Sequence, residues 1–424
     1  MNPSEKIDHL LQFLQNAPTS WHACQEMSDY LLNLGFTLLD ESEPWKLESG
    51  KSYMVRRGGS FAAWRMASGT MERFAIVAAH TDSPAFKMKP HGERERDGML
   101  SLETEVYGGP LYYSWLDRPL TIAGRIFTDR ANGAIGERLI SLKEKTAIIP
   151  SLAIHQQREV NEKGLILNAQ EHLPALFALN QKKGYFRELL QKEVGNEKIL
   201  SFDLFLTPQE LPQVVGASGE MISSYRLDNL ASCHCALLAI GESQARSNSI
   251  QMALFFDHEE IGSSSREGAE SCFARDLMMR IASDGTCPRT SLIQAKARSL
   301  ALSIDMCHGL HPNYPEKSDP SHKVLLGKGI AIKYNARVRY ASSGKGVAEV
   351  VKICLEKKIP TQNYLARADT PCGSTIGPIF AAGLGIETVD VGVPQLAMHS
   401  ARETISREDQ IAMYTLASAL LTQG

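Results

Sequence analysis

From Leu227 onward the chain alternates between two textures: helical spacing at 229–240, a strand-like run at 250–256, helical spacing at 268–282, strand-like runs at 299–305 and 329–335, a helix at 345–357, a strand at 386–393 and a closing helix at 407–421. Few folds accept that rhythm. Strands that take turns with helices build a mostly parallel sheet sandwiched by helices on both faces. Ser406 and Asp409 have the spacing of a capping pair at the start of the closing helix. The same style opens the chain. Ile7, Leu10, Leu11 and Leu14, then Ala23, Met27, Tyr30, Leu31 and Leu34, mark two amphipathic helices, the second stopped by Gly35. "SYMVRR", "FAAWRMA" and "RFAIVAAH" follow as strands, and Pro84 ends the last of them at "HTDSP".

Between these stretches the pattern is different. From about residue 92, "LSLETEVYGGPLYY", "PLTIAGRIFT", an Asn132-Gly133 turn signal and "ERLISLKE" read as antiparallel hairpins. This texture runs to about residue 224 and contains a polar stretch at 155–172, a basic helix near 181–193 and the strand "ILSFDLFLT". A chain of 424 residues exceeds what one core usually holds. The sequence therefore predicts one discontinuous α/β domain, 1–91 with 225–424, interrupted by a β-rich insertion at 92–224.

Composition removes several classes of partner. With 45 basic and 48 acidic residues the formal net charge is -3, which offers no global field for nucleic acid or an anionic membrane. Charged ligands must then be met by local groups. No apolar run reaches the roughly 18 residues of a membrane span, and "MNPSEKIDHLLQFLQ" lacks a basic region followed by an apolar one, which predicts a cytoplasmic protein. The eight cysteines (24, 233, 235, 272, 287, 307, 354, 372) form no CxxC pair and read as reduced thiols. Cys233-His234-Cys235 falls inside a helical pattern and reads as ordinary core or surface.

The chemistry concentrates where strands end. "ALFFDHEEIGSSS" is an apolar run that stops in four ionisable residues, Asp257 to Glu260, and packing alone gives no reason for two adjacent carboxylates there. In open α/β sheets functional groups gather in the crevice beyond the strands' carboxyl ends. The residues so placed are His80, Asp82, Glu259, Glu260, Asp305 and His399, with Asp228 at the start of the 229–240 helix. Imidazoles and carboxylates from separate elements are ligand chemistry for zinc or a similar divalent ion. Charge balance favours a pair of ions: Asp228, Glu260, Asp305 and a bridging hydroxide offset two divalent cations, neutral His80 and His399 complete the sites, and Asp228 bridges. Where the strand ends the backbone can turn, so Glu260 binds while Glu259 faces the activated water as the base. Asp82 has the spacing to orient the His80 imidazole. Each residue also has an ordinary alternative: a helix cap for Asp228, a turn before Pro84 for Asp82, solvated loop positions for Asp257 and His258. His308 and His311 read as pocket lining or support.

The blocks "HTDSP", "RLDNLAS", "FFDHEEIGS", "SIDMCHGLHPNY", "KGIAIKYNARVRYAS", "TPCGSTIGP" and "VDVGVPQLAMHSARE" run in order from residue 80 to residue 403. In that order they closely resemble the M18 metallopeptidases, the aspartyl aminopeptidase family. The resemblance covers practically the whole chain and implies a dizinc exopeptidase-like fold. It implies His80, Asp228 and Asp305 as ligands of one metal and Asp228, Glu260 and His399 as ligands of the other, with Glu259 as general base and Asp82 as the partner of His80. It also implies that the insertion mediates dimerisation, that dimers build a tetrahedral dodecamer, and that His155 in "LAIHQQREVNEKG" reaches a neighbouring subunit's site. Lys333 and Tyr340 match positions lining the family's substrate pocket; alone, Lys333 would read as a solvated strand lysine. His258, Cys307 and Cys372 depart from the family pattern without removing a ligand.

The expected function is metal-dependent hydrolysis of the first bond of a peptide, with preference for N-terminal Asp or Glu and zinc, manganese or cobalt as the metal. The alternatives are another dizinc hydrolase (a deblocking aminopeptidase, carboxypeptidase or deacylase) and, outside enzymes, a metal-stabilised assembly scaffold.

Overall fold

A computed structural model of the protein describes residues 1–283 and 289–422. The chain divides into two compact units: Met1–Asp82, Pro212–Met398 and Glu403–Gly424 form the first, and Ser83–Leu211 with His399–Arg402 the second. The edges of the insertion thus lie at Ser83 and Leu211, where the sequence suggests 92 and 224. Two local features account for the difference. The strand Ala85–Arg96 carries Pro90 within a register irregularity between Met88 and Glu93, so a long strand is disguised by a residue that strands usually exclude. At the other end, Met221–Ser224 pairs antiparallel with Glu403–Ser406 inside the first unit.

The described residues of the first unit form a nine-stranded sheet in the order Thr37–Leu39, Ser52–Arg57, Ser60–Arg65, Ser249–Phe256, Arg73–His80, Leu300–Ile304, Glu387–Gly392, Ile330–Tyr334, Thr361–Leu365. Its centre, from Ser249–Phe256 to Glu387–Gly392, is parallel throughout. Antiparallel junctions flank that centre on both sides.

Period-two alternation along the central strands feeds two separate cores. Ala75, Val77, Ala79, Ala253 and Phe255 face the helices Pro3–Asn16, Ser20–Asn33, Leu227–Glu242, Gly344–Lys357 and Arg407–Thr422. Phe74, Ile76, Ala78, Met252, Leu254 and Phe256 face Phe273–Ser283 and Ile376–Leu384 on the other side. Each large apolar side chain so buried contributes about 1.5–3 kcal/mol, so a strand apolar on both faces is held from both.

Among the elements of this unit absent from the sequence prediction are the short edge strand Thr37–Leu39, the helix Arg289–Ala297, the strand Thr361–Leu365 and the helix Ile376–Leu384. Thr361–Leu365 is an edge strand with polar, partly exposed residues and little alternation. Ile376–Leu384 holds Gly377, Pro378 and Gly383, which mask a helix even though a proline in the first turn is tolerated. The helix expected at 268–282 starts only at Phe273. The Ser406 and Asp409 pair also divides its work differently from a capping box. Ser406 Oγ accepts from the Glu408 N–H, whereas the Asp409 carboxylate accepts from Gly327 N at 2.6 Å and Gly329 N at 2.7 Å, tying the last helix to a loop.

The N-terminal helix docks through a buried polar contact. His9 Nδ1 lies 2.9 Å from His234 Nε2, and burial lowers the pKa of both imidazoles, His234 most strongly. One ring must donate and the other accept, so the contact requires at least one neutral ring. The unfolded chain takes up protons below about pH 6.5 while the folded pair resists them. Stability from this pair is complete above that pH and is lost as pH falls toward the depressed folded values. Thermal melting between about pH 7.5 and about pH 5.5 should therefore show a steeper loss for the native protein than for His234→Phe.

The second unit carries a six-stranded sheet in the order Ile135–Ser141, Leu120–Asp129, Lys198–Pro208, Ala85–Arg96, Met99–Tyr107, Ala175–Leu179, antiparallel at every junction. Seven cysteines are free thiols, and Cys233 and Cys235 are buried in the core; Cys287 lies outside the described residues. Among the described residues no helix is long and apolar enough to cross a membrane.

Candidate active site

Three neighbouring parallel strands end at the same edge of the sheet. Phe256 pairs with His80 and Ser303 with Ala78, so His80, the turn after Phe256 and Asp305 arrive side by side. Asp228 comes from the start of Leu227–Glu242, where Asp228 and Asn229 leave helical geometry and the peptide between them is cis. Two anchors place it. Glu403 Oε2 accepts from the Asp228 N–H at 3.0 Å, and Asn229 Nδ2 donates to the Ile304 carbonyl at 2.9 Å, on the strand that leads to Asp305.

His80 stands at the centre of the carboxylates. Its Nε2 is 3.4 Å from Asp228 Oδ1 and 3.4 Å from Asp305 Oδ1, while its Nδ1 is 3.3 Å from Asp82 Oδ1. One ligand atom from each of His80, Asp228 and Asp305 lies within 4.8 Å of the others, and the same holds for His80, Glu259 and Glu260. The adjacent glutamates are arranged by the backbone. His258 takes a left-handed conformation at φ 64°, turning the chain out of the strand into the short helical turn Glu259–Ile261, which Gly262 closes at φ 97°. Asp82 then accepts from the Glu259 N–H on Oδ1 and from the Glu260 N–H on Oδ2, both at 3.1 Å. One carboxylate thus orients the imidazole and both glutamates.

Burial and mutual repulsion set the electrostatics. Burial pushes Glu259 up to about 8, with His80 opposing and Asp305, Asp82 and Asp228 adding to the rise. Glu260 is also raised well above its ordinary value, by burial first and then by Asp228. Burial disfavours ionisation of Asp305 too, yet the Lys333 ammonium and His80 outweigh it and hold this carboxyl below the usual range. His80 is raised well above its ordinary value, because hydrogen bonds to Asp228, Asp305 and Asp82 overcome its burial. A cluster of buried carboxylates around one imidazole requires positive charge, and this oxygen-rich set with a histidine nitrogen fits a divalent cation of the zinc, manganese or cobalt type.

Lys333 is not a solvated strand residue: it is 2% exposed, and its Nζ donates to Asp305 Oδ2 at 3.1 Å. Tyr340 is buried, its ring centroid 5.4 Å from that Nζ. Asp257 is likewise no solvated loop residue. It is 1% exposed and accepts from Ser20 Oγ and the His258 N–H, each at 3.0 Å. His308 and His311 line a cavity of about 340 Å³ with Tyr314, His322, Tyr364 and Arg367. Two residues of the sequence prediction lie in the second unit. There His399 Nδ1 is 3.1 Å from the Gly109 carbonyl, and His155 is exposed on a short turn, Ile154–Gln156. Glu403, Asn229 and Arg226, a buried guanidinium that donates to the Thr81 carbonyl, were not singled out from the sequence, although each lies inside or at the end of a motif that was.

Residues 13–420 match the family model described as Aminopeptidase I zinc metalloprotease (M18). The chain belongs to the M18 aminopeptidase family. It is 39% identical over 411 residues to the probable M18 family aminopeptidase 2 of Pseudomonas aeruginosa, covering 94% of each chain. Among solved structures, a chain of the Ape4 and Nbr1 complex superposes with a TM-score of 0.94 at 32% identity, covering 99% of this chain and 86% of that one. The S. cerevisiae mApe1 dodecamer shares the fold with a TM-score of 0.86 at 23% identity, covering 99% of this chain and 97% of that one. This M18 protein is a metal-dependent aminopeptidase, which displaces the scaffold alternative.

Proposed function

We propose that this enzyme removes acidic N-terminal residues, Asp or Glu, from peptides in the cytoplasm, using two divalent ions per subunit. The reading rests on one observation: His80, Asp228 and Asp305 present ligand atoms within 4.8 Å of one another, while Asp82 holds the Glu259 backbone beside them. In this proposal His80, Asp228 and Asp305 hold one ion, Asp228, Glu260 and His399 hold the other, and zinc is the native metal. Such ions, when bound, polarise a peptide carbonyl and bring the pKa of water toward neutrality. Glu259 takes the proton of the attacking water and returns it to the leaving nitrogen. A carboxylate within hydrogen-bond reach of that water can hold the proton between the two steps. Asp82 keeps Glu259 and His80 in register during the transfer.

Lys333 and Tyr340 line the pocket for the substrate's first side chain, and His155 completes the site of a neighbouring subunit. The oligomer in this proposal is a tetrahedral dodecamer built from dimers through the inserted β-rich unit. The solved mApe1 structure, which shares the fold, is a dodecamer, and this supports the homo-oligomeric part of the proposal. Initial rates on Asp-, Glu-, Leu- and Ala-anilides test the specificity. Asp and Glu should be cleaved faster than Leu by on the order of tenfold or more, because a cationic Lys333 beside the pocket attracts a carboxylate side chain and gains nothing from an apolar one. Faster cleavage of Leu contradicts the acidic preference, and preferential release of an N-acyl group points to a deblocking enzyme instead.

A further inference from the structure

We infer that Lys333 is a positioning residue for Asp305, holding one oxygen of that carboxylate so that the other is turned toward His80 and the metal. The inference rests on the proposed ligand role of Asp305. The two oxygens are divided between two neighbours: Oδ2 accepts from Lys333 Nζ at 3.1 Å, and Oδ1 is 3.4 Å from His80 Nε2. A carboxylate held this way has little freedom to rotate.

The route of the lysine is built into the sheet. Ile330–Tyr334 runs antiparallel to Glu387–Gly392, with Ala331 opposite Gly392 and Ile332 opposite Val391. The Lys333 stem passes over Gly392, where a Cβ would lie 2.9 Å from Lys333 Cε and 2.3 Å from the Asp305 carbonyl oxygen. Glycine at 392 therefore leaves room for both the stem and the backbone that carries Asp305. The Tyr340 ring closes the space around the ammonium, leaving the residue 2% exposed. Asp390 is the other carboxylate near this path, and it already accepts from Thr375 Oγ1 at 2.7 Å and the Ala341 N–H at 2.6 Å. A lysine that only read substrate would present its ammonium to the pocket. This one is committed first to the ligand. An ammonium-to-carboxylate hydrogen bond is among the stronger polar contacts, and loss of a partner that orients a metal ligand typically weakens metal binding by about 10–100-fold.

The test is a zinc titration of the metal-stripped, full-length protein by competition with a chromophoric chelator, comparing wild type, Asp305→Asn, Lys333→Met and Lys333→Arg. Melting curves of the metal-stripped forms verify folding, and Lys333→Gln serves as the uncharged variant if Met is not tolerated. The expected result is that Lys333→Met weakens one of the two ions by about 10–100-fold, leaves the other unchanged, and is partly rescued by Arg. If Asp305→Asn weakens an ion but Lys333→Met and Lys333→Gln bind both like wild type, the positioning role is overturned and the ligand reading stands. If Asp305→Asn binds both ions like wild type, the ligand role and this inference fall together.

Discussion

Glu259→Gln is expected to lower turnover by on the order of a hundredfold or more while leaving metal content and melting temperature at wild-type values. The expectation follows from how Glu259 is held. Its position is set by its own N–H, which donates to Asp82 Oδ1 at 3.1 Å, and by the left-handed turn at His258. Neither constraint involves the side-chain carboxyl, so an amide of the same shape occupies the same place. What is lost is the capacity to accept and return a proton, a function that carboxamides lack. The neighbouring Glu260, also raised by burial and by Asp228, is assigned to the metal and cannot substitute. Steady-state kinetics on the preferred anilide, with elemental analysis of the same sample, checks both halves. Wild-type turnover in Glu259→Gln removes it from the role of base; lost metal in that variant makes it a ligand instead.

Asp228→Asn should have an effect of comparable size for a different reason. This residue is assigned to both ions, so neutralising it is expected to reduce the occupancy of both and to cut activity at least about a hundredfold, the scale of removing one preorganised electrostatic element. The fold should survive. Asp228 is 4% exposed, but its backbone is fixed by Glu403 and the next residue by the Ile304 carbonyl, and asparagine disturbs neither contact. In the metal-free protein the change relieves repulsion with Glu259 and Glu260, both of whose carboxyls Asp228 pushes up, and at the same time removes a negative partner of His80. These effects oppose each other, so metal-stripped Asp228→Asn should melt close to metal-stripped wild type.

Much of the α/β unit is legible in the sequence because its central strands are apolar on both faces and end abruptly in charge. The run from Ser249 to Phe256 followed by Asp257 to Glu260 announces a buried strand and the edge where it stops. Elements that pack on one side only, such as Thr361–Leu365, carry no such signal. Within the site, residue types and strand ends could be read, but the contacts joining them could not. The bonds from Glu259 and Glu260 to Asp82 depend on a backbone turn at His258, a residue whose side chain gives no hint of a positive φ. Lys333 reads as a surface lysine in "IAIKYN" because local pattern cannot show that Gly392 opens a buried path to Asp305. Glu403 acts through a hydrogen bond to the backbone of Asp228, a long-range pairing invisible to periodicity.

Anomalous diffraction at the zinc edge, on crystals of wild type and Asp228→Asn grown with zinc, addresses the proposed pair of ions directly. Two peaks per subunit are predicted in the wild type, both in contact with Asp228, one shared with His80 and Asp305 and the other with Glu260 and His399. Both should fade in the variant. A single peak, or a pair of which neither touches Asp228, would contradict the dinuclear centre and the mechanism built on it.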